Sequence, residues 1–291
     1  REAERLGALQ VERQCGAQQA DDEDGPRDVI GSARGVIVGS YLTRAMKQLR
    51  SARHRESTEH YEQAAELFLG AVDADPDHPD RAKALNNAAV AYEAIGKRGR
   101  ARELWRQIIT EHSEDDVADS ARFKLGVDAS SLFEYDEALS YFTQLSRSSK
   151  SRDIARDATL NTALILTNLE RWEEAEPYWT RLADPDVSSD TPARIEAAFR
   201  AAEMPSKLAQ TSRGIRAMRS FIADHRGVPD AGLHRVKAAH VIAEAHRQHG
   251  NQKQWRRALA DVQDLYRSSG ASAGSEAADY AAEARLLSLE E

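Results

Sequence analysis

The chain is expected to be all-α, a right-handed α-solenoid of about six antiparallel helix pairs followed by a C-terminal helix. Three observations predict this. Ala64, Ala101, Ala138 and Ala175 recur at a constant interval of 37 residues. Each is followed four places on by a large aromatic residue (Phe68, Trp105, Phe142, Trp179) and seven places on by an apolar one (Ala71, Ile108, Leu145, Leu182). Positions i, i+4 and i+7 share one face of a helix. The small residue lets a neighbouring helix approach and the aromatic fills the space beside it. A helix pair of this kind cannot bury its apolar stripe alone and does so against the next copy.

Residues 1–30 read as a helical or flexible lead-in, interrupted by the acidic stretch from Asp21 to Pro26, a solvated break. The first helix is expected over about 36–55, with Val36, Val38, Leu42, Met46 and Leu49 on or near its buried side. Its partner runs from Thr58 to about Asp73 and is ended by Asp75-Pro76-Asp77-His78-Pro79, because proline lacks the N–H and disfavours helical geometry before it. Pairs follow at 80–95 with 98–111, 116–132 with 135–147, and 152–169 with 172–184, so that residues 31–184 form four regular repeats. Pro177 is expected near the first turns of its helix, where a missing N–H costs least. Residues 185–268 form two divergent pairs, 192–205 with 211–225 and 231–249 with 252–268. In the fifth copy Gly214, Met218 and Phe221 take the three columns, now 39 residues beyond Ala175. Counting from Gly250 as a turn glycine puts Trp255 in the small-residue column of the sixth. Residues 269–291 hold a Ser/Gly/Ala-rich turn and a capping helix, about 275–289, that offers Tyr280, Ala281, Leu286 and Leu287 to cover the end of the stack.

These features resemble the tetratricopeptide repeat. That family's second helix has Ala, then Phe or Tyr, then Ala, with Pro near the end, which Ala64, Phe68, Ala71 and Pro76 match. Ala89, Tyr92 and Gly96 stand in the family's relative positions in the second copy, and Leu125-Gly126 in the third. The fourth copy lacks the turn glycine and the tyrosine of the first helix. The resemblance implies a superhelix in which the first helix of each pair lines a concave side that holds partner proteins. The spacing of 37 in place of 34, with polar or Pro/Asp turns before Ala-rich helices, also looks like the bacterial cell-envelope branch of these repeats. The segment from Tyr61 to Leu182 and the ending from Ala277 to Arg285 look like delta-proteobacterial gliding-motility and envelope scaffold proteins. This implies a periplasmic or envelope-associated scaffold or adaptor; a cytoplasmic regulatory sensor that binds a short peptide is the alternative.

Composition agrees with a helix-rich protein of large solvated surface: 30% of residues are charged and aromatics are few. A net charge of −8 argues against a nucleic-acid surface. Arg outnumbers Lys by 32 to 8, read as coding bias and not as a binding device. No apolar run is long enough for a membrane span or a signal core. The start at Arg1 suggests a fragment or a mature portion of a longer product, either a monomeric array or part of a larger complex. Cys15 is the one cysteine, so no intrachain disulfide forms, and it reads as an ordinary thiol.

Catalytic signals are weak, and no enzyme, cofactor or metal is expected. Asp73, Asp75 and Asp77 alternate as in a calcium loop, but Pro76 and His78 break the pattern and Ala84 stands where a closing glutamate belongs. His246 and His249 lie three apart on a helix, with His240 off that face and His234 beyond, which makes a histidine metal site or enzyme in the C-terminal helices a remote alternative. There is no phosphate loop, His-Glu-x-x-His or nucleophile elbow.

If the resemblance holds, counting back from the alanine column gives the groove-facing residues. These are Asn86, Val90 and Glu93, then Phe123, Val127 and Ser130, then Leu160, Leu164 and Thr167, with Phe199 and His240 offered by the less regular copies. Val90, Phe123, Val127, Leu160 and Leu164 form the expected apolar seam, rimmed by Lys83, Asn86 and Lys124, suited to an apolar peptide segment. These same side chains could instead pack against the second helices or the C-terminal elements. The Lys, Asn and Arg set with which some family members grip a carboxylate is incomplete.

Overall fold

The computed structural model describes residues 26–55 and 57–289. The expected lead-in as far as residue 25, with Cys15, lies outside them. All regular elements among the described residues are helical: α1 (Pro26–Arg55), α2 (Thr58–Ala74), α3 (Arg81–Ala94), α4 (Arg98–Glu111), α5 (Asp116–Ser131), α6 (Tyr135–Ser148), α7 (Arg152–Asn168), α8 (Trp172–Leu182), α9 (Thr191–Lys207), α10 (Thr211–Asp224), α11 (Gly232–Gln248), α12 (Gln252–Ser269) and α13 (Glu276–Leu287), with a 3₁₀ turn at Pro229–Ala231 before α11. Apart from the start of α1, the helices begin and end within two residues of where the sequence places them. None of these helices is long and apolar enough to cross a membrane.

The three columns explain the pairing. Ala64, Ala101, Ala138 and Ala175 have no exposed surface, and Phe68, Trp105, Phe142 and Trp179 are all buried, as are Ala71, Ile108, Leu145 and Leu182. The second helices of four pairs therefore share one buried face. An alanine of this column removes bulk where backbones come close, and the aromatic one turn on supplies most of the apolar area withdrawn from water.

The turns inside pairs two to six share one conformation. Gly96, Phe133, Glu170, Ala209 and Gly250 have φ of 76°, 63°, 56°, 57° and 66°, and each precedes its copy's small column by five residues. In every one the next residue's N–H donates to the carbonyl five residues back: Lys97 to Tyr92, Glu134 to Ala129, Arg171 to Leu166, Gln210 to Pro205 and Asn251 to His246, all 2.9 Å. This is the left-handed helix stop that glycine favours. Only two of the five are glycine, so the geometry persists where the residue resists it.

The helices form two compact units, one as far as Tyr141 and one from Phe142 on, with the division inside α6. In the first, α1 to α5 pack in sequence, and α3 also on α5. Helix α1 begins at Pro26, ten residues before the expected start; proline is well suited to a first helical position. Its buried stripe is Val38, Ala45, Leu49 and Ala52, with Leu42 partly buried. Val36 and Met46 are exposed, against expectation, because they sit 200° and 100° around the helix from Val38 and Ala45. Arg102 on α4 joins Asp128 (3.4 Å), Glu134 (3.0 Å) and Glu137 (3.2 Å), and ties pair two to pair three.

In the second unit α7 to α13 pack in sequence, with further contacts of α9 on α11 and α11 on α13. Pro177 is the sixth residue of α8, near its first turns as expected, and the helix runs through it. Gly214 is needed as such: a methyl there would strike Ser206 of α9, whose Cα stands only 3.2 Å away. The sixth copy keeps the buried positions but reverses their sizes, with Trp255, Leu259 and Val262 all buried. The core around them receives Ala277 and Ala284 from α13, so small residues arrive from the capping helix. Ala281 is buried and Tyr280 and Leu287 pack partly, whereas Leu286 is exposed, two residues beyond Ala284 and on the opposite face.

Candidate functional site

The groove-facing residues of the first unit lie on α3 and α5. Val90 is half-buried and packs on the core, Phe123 is half-buried, and Val127 is exposed. The polar members are already engaged. Asn86 Oδ1 accepts from Trp105 Nε1 (3.3 Å), Lys124 Nζ meets Glu93 Oε2 at 2.8 Å and lies 5.9 Å from the Trp105 ring centre, and Lys83 pairs with Asp80. The face is thus a preset, charge-balanced surface with one free aliphatic side chain.

In the second unit the same count leads to a cleft. Leu160 and Leu164 of α7 are 39% and 43% exposed, and they form one wall of a cavity of about 570 Å³. Trp179 and Leu182 of α8 lie at its base, and Ala193 and Ala197 of α9 form the opposite wall. Thr167 lines it too, with its hydroxyl donating to the Ala163 carbonyl (2.7 Å) and accepting from Trp179 Nε1 (2.9 Å). The threonine therefore fixes the tryptophan at the cleft's base.

Local structure explains the opening. Helix α8 has only 11 residues, and the connection from Ala183 to Asp190 carries the chain to α9, whose N-terminus is capped by the Asp190 carboxylate accepting from the Ala193 N–H. The small-residue column steps by 39 residues here and by 37 before it, so α9 is set off from α7 and small residues face large ones across the gap. The rim carries Arg156, Asp190, Glu196 and Arg200. Arg156 is held by Asp157 (2.9 Å) and Asp153 (3.1 Å). Glu196 lies between His234 Nε2 (2.5 Å) and Arg200 Nε (2.6 Å). The hydrogen bond from His234, then that from Arg200, lower its pKa from the ordinary carboxylate value to about 2. Such a rim is internally paired and nearly neutral around an apolar floor, an arrangement suited to apolar side chains.

The other expected groove residues are internal. Phe199 is buried, edge-on to Phe221 (5.8 Å) and beside His234 (5.4 Å). His240 is covered by α13, with Tyr280 at 4.9 Å and Glu283 at 3.9 Å. Both are corrections with one cause: later helices pack on the positions that earlier copies leave open. The four C-terminal histidines are dispersed. His234 meets Glu196, His240 meets α13, His249 bonds to Thr211, and His246 is buried; among the described residues no three His, Cys, Asp or Glu side chains converge as a metal set. The alternating aspartates fall at the end of α2 and in the following turn, where Asp75 N–H donates to Ala71. Counting within repeats missed the contribution of α9, and the two-residue register step was the signal that marked it.

No family model matches the chain, and no curated protein matches it. Solved structures similar to it include pilF of Pseudomonas aeruginosa, with 15% identity over 87% of this chain and 99% of that one and a TM-score of 0.43. YrrB, described as a TPR protein with an unusual peptide-binding site, has 16% identity over 75% and 99% of the two chains and a TM-score of 0.46. The TPR2AB domain of yeast Sti1 has 14% identity over 86% and 99%, with a TM-score of 0.36. The helix pairing described above stands on the columns and turns of this chain itself.

Proposed function

We propose that the chain is a non-enzymatic protein-interaction module, a scaffold or adaptor that holds an apolar segment of a partner in the cleft between α7 and α9. The observation that carries this reading is the exposure of Leu160 and Leu164 on the wall of a 570 Å³ apolar cleft whose charged rim is already internally paired. Such aliphatic side chains gain by covering, while the fixed rim limits the entropy lost when a partner docks. A partner that presents two or three apolar side chains from a helix or an extended strand fits this chemistry. The α3–α5 face with Val127 and Phe123 is a second contact area in the same reading.

Leu164→Glu places an unpaired carboxylate in the cleft without entering the core. Affinity capture from the native organism followed by mass spectrometry is expected to lose specific partners relative to wild type, at unchanged helicity and melting temperature. An identical partner profile would remove the cleft assignment. Within the same proposal the assembly is envelope-associated and bacterial. The complete gene product checks this: an upstream leader or lipobox supports it, and an attached DNA-binding or kinase domain favours the cytoplasmic sensor.

A further inference from the structure

A second hollow, of about 590 Å³, lies on another part of the second unit, where the start of α10 meets the end of α11. Helix α10 begins without a side-chain cap: Gln210 precedes it, and its side-chain oxygen accepts from Arg213 Nη1 (3.0 Å) and not from a helix-end amide. The first backbone bond of its ladder is Gly214 N–H to Gln210, which leaves the Thr211, Ser212 and Arg213 amides without a protein acceptor among the described residues. These amides carry the partial positive charge of a helix N-terminus.

Around them the charged lining is arginine, set among neutral polar side chains and the apolar Ala209 and Ile215. Arg213, Arg216, His246 and His249 line the hollow, and no carboxylate does, in a chain whose net charge is −8. Arg213 is shared with Glu176, whereas exposed Arg216 has no ion pair among the described residues. His249 is oriented, with Nδ1 against the Ala245 carbonyl (2.9 Å) and Nε2 against Thr211 Oγ1 (3.1 Å). His246 is the independent observation. It is only 8% exposed, lines the same hollow, and neither ring nitrogen has a hydrogen-bond partner. An unbonded buried imidazole costs folding free energy that an acceptor in the hollow would recover.

We infer that this hollow is an oxyanion site of the phosphate class, with the α10 amides and Arg216 as principal contacts and His246 as a further donor. Uncapped amides and a guanidinium are the groups that recognise tetrahedral oxyanions. The site is separate from the α7–α9 cleft and does not rest on the function proposed for it.

Titration of the ¹⁵N-labelled chain with inorganic phosphate, against sodium chloride at matched ionic strength, tests this. Saturable shifts of the Thr211, Ser212 and Arg213 amides are expected, with a Kd of about a millimolar or tighter. Arg216→Ala, an exposed substitution that leaves the core intact, is expected to weaken binding at least about fivefold, while Arg226→Ala at the other end of α10 leaves it unchanged. Replacing phosphate by O-phosphoserine distinguishes the source. Tighter binding assigns the site to a phosphorylated side chain, and equal or weaker binding assigns it to free phosphate. Equal shifts with chloride, or wild-type saturation of Arg216→Ala, would overturn the assignment.

Discussion

Phe133, Glu170 and Ala209 hold the left-handed conformation that Gly96 and Gly250 adopt in the equivalent turns. A non-glycine residue in that region bears about 1–2 kcal/mol of strain, from which the greater chain entropy of an unfolded glycine takes back about 0.5–1. Phe133→Gly is therefore expected to stabilise the protein by about 0.5–1 kcal/mol, read as a higher urea midpoint at unchanged slope. Phe133 is 76% exposed, so little packing is lost with its ring. Gly214 shows the converse. With Ser206 Cα 3.2 Å from the site of a methyl, Gly214→Ala is expected to cost about 1–3 kcal/mol; a neutral result would mean that α9 and α10 separate freely. The columns at Ala101 and Trp105 were readable because size and periodicity coincide on one helix. The left-handed turns were readable only at the glycines, since Phe133, Glu170 and Ala209 give no local sign of a conformation imposed by the helices on either side.

Among the elements, α9 shows most clearly where sequence reading stops. Its apolar residues mark it as a helix, but its role as the far wall of the cleft depends on a short α8 and on a connection two residues longer than repeat spacing allows. Its Glu196 also makes a measurable prediction. The folded pKa of about 2 lies below the ordinary carboxylate value of 4.5, so the bound proton is favoured in the unfolded chain. The ion pair therefore contributes stability above about pH 4.5 that is lost as the pH falls toward 2. Since the Glu196 side chain is 40% exposed, solvent screening reduces that contribution to about 1 kcal/mol. Glu196→Gln is expected to lower stability at pH 7 by about this amount and to flatten the dependence between pH 4.5 and 2; an unaltered acid profile would show that the pair is not formed. His246 acts in the same direction nearer neutrality. Burial, then the charges of Arg219 and His249, lowers its pKa from 6.5, so stability falls as acid charges the unfolded imidazole below that value. Helix α13 was legible as amphipathic, yet which of its faces is covered became clear only from its seat on α11 and α12, where alanines accommodate Trp255.

For the molecule as a whole, division into two compact units means that damage should remain local. Trp105→Ala empties a fully buried site in the first unit and is expected to cost about 3–5 kcal/mol. Hydrogen exchange should rise in α3 to α5 and change little in α10 to α12, as nearest-neighbour coupling requires. Uniform acceleration throughout would instead describe one cooperative body. The fold class was legible because one pattern is written several times, so chance agreement in any copy is checked by the others. A cleft made where that pattern slips has no second copy to check it against. The five matching turns carry a last implication, for engineering. Because the bend that joins the helices of a pair has one shape whatever residue stands there, the 37-residue modules have interchangeable joints, and an additional module spliced in at a loop between pairs would inherit a hinge that already fits.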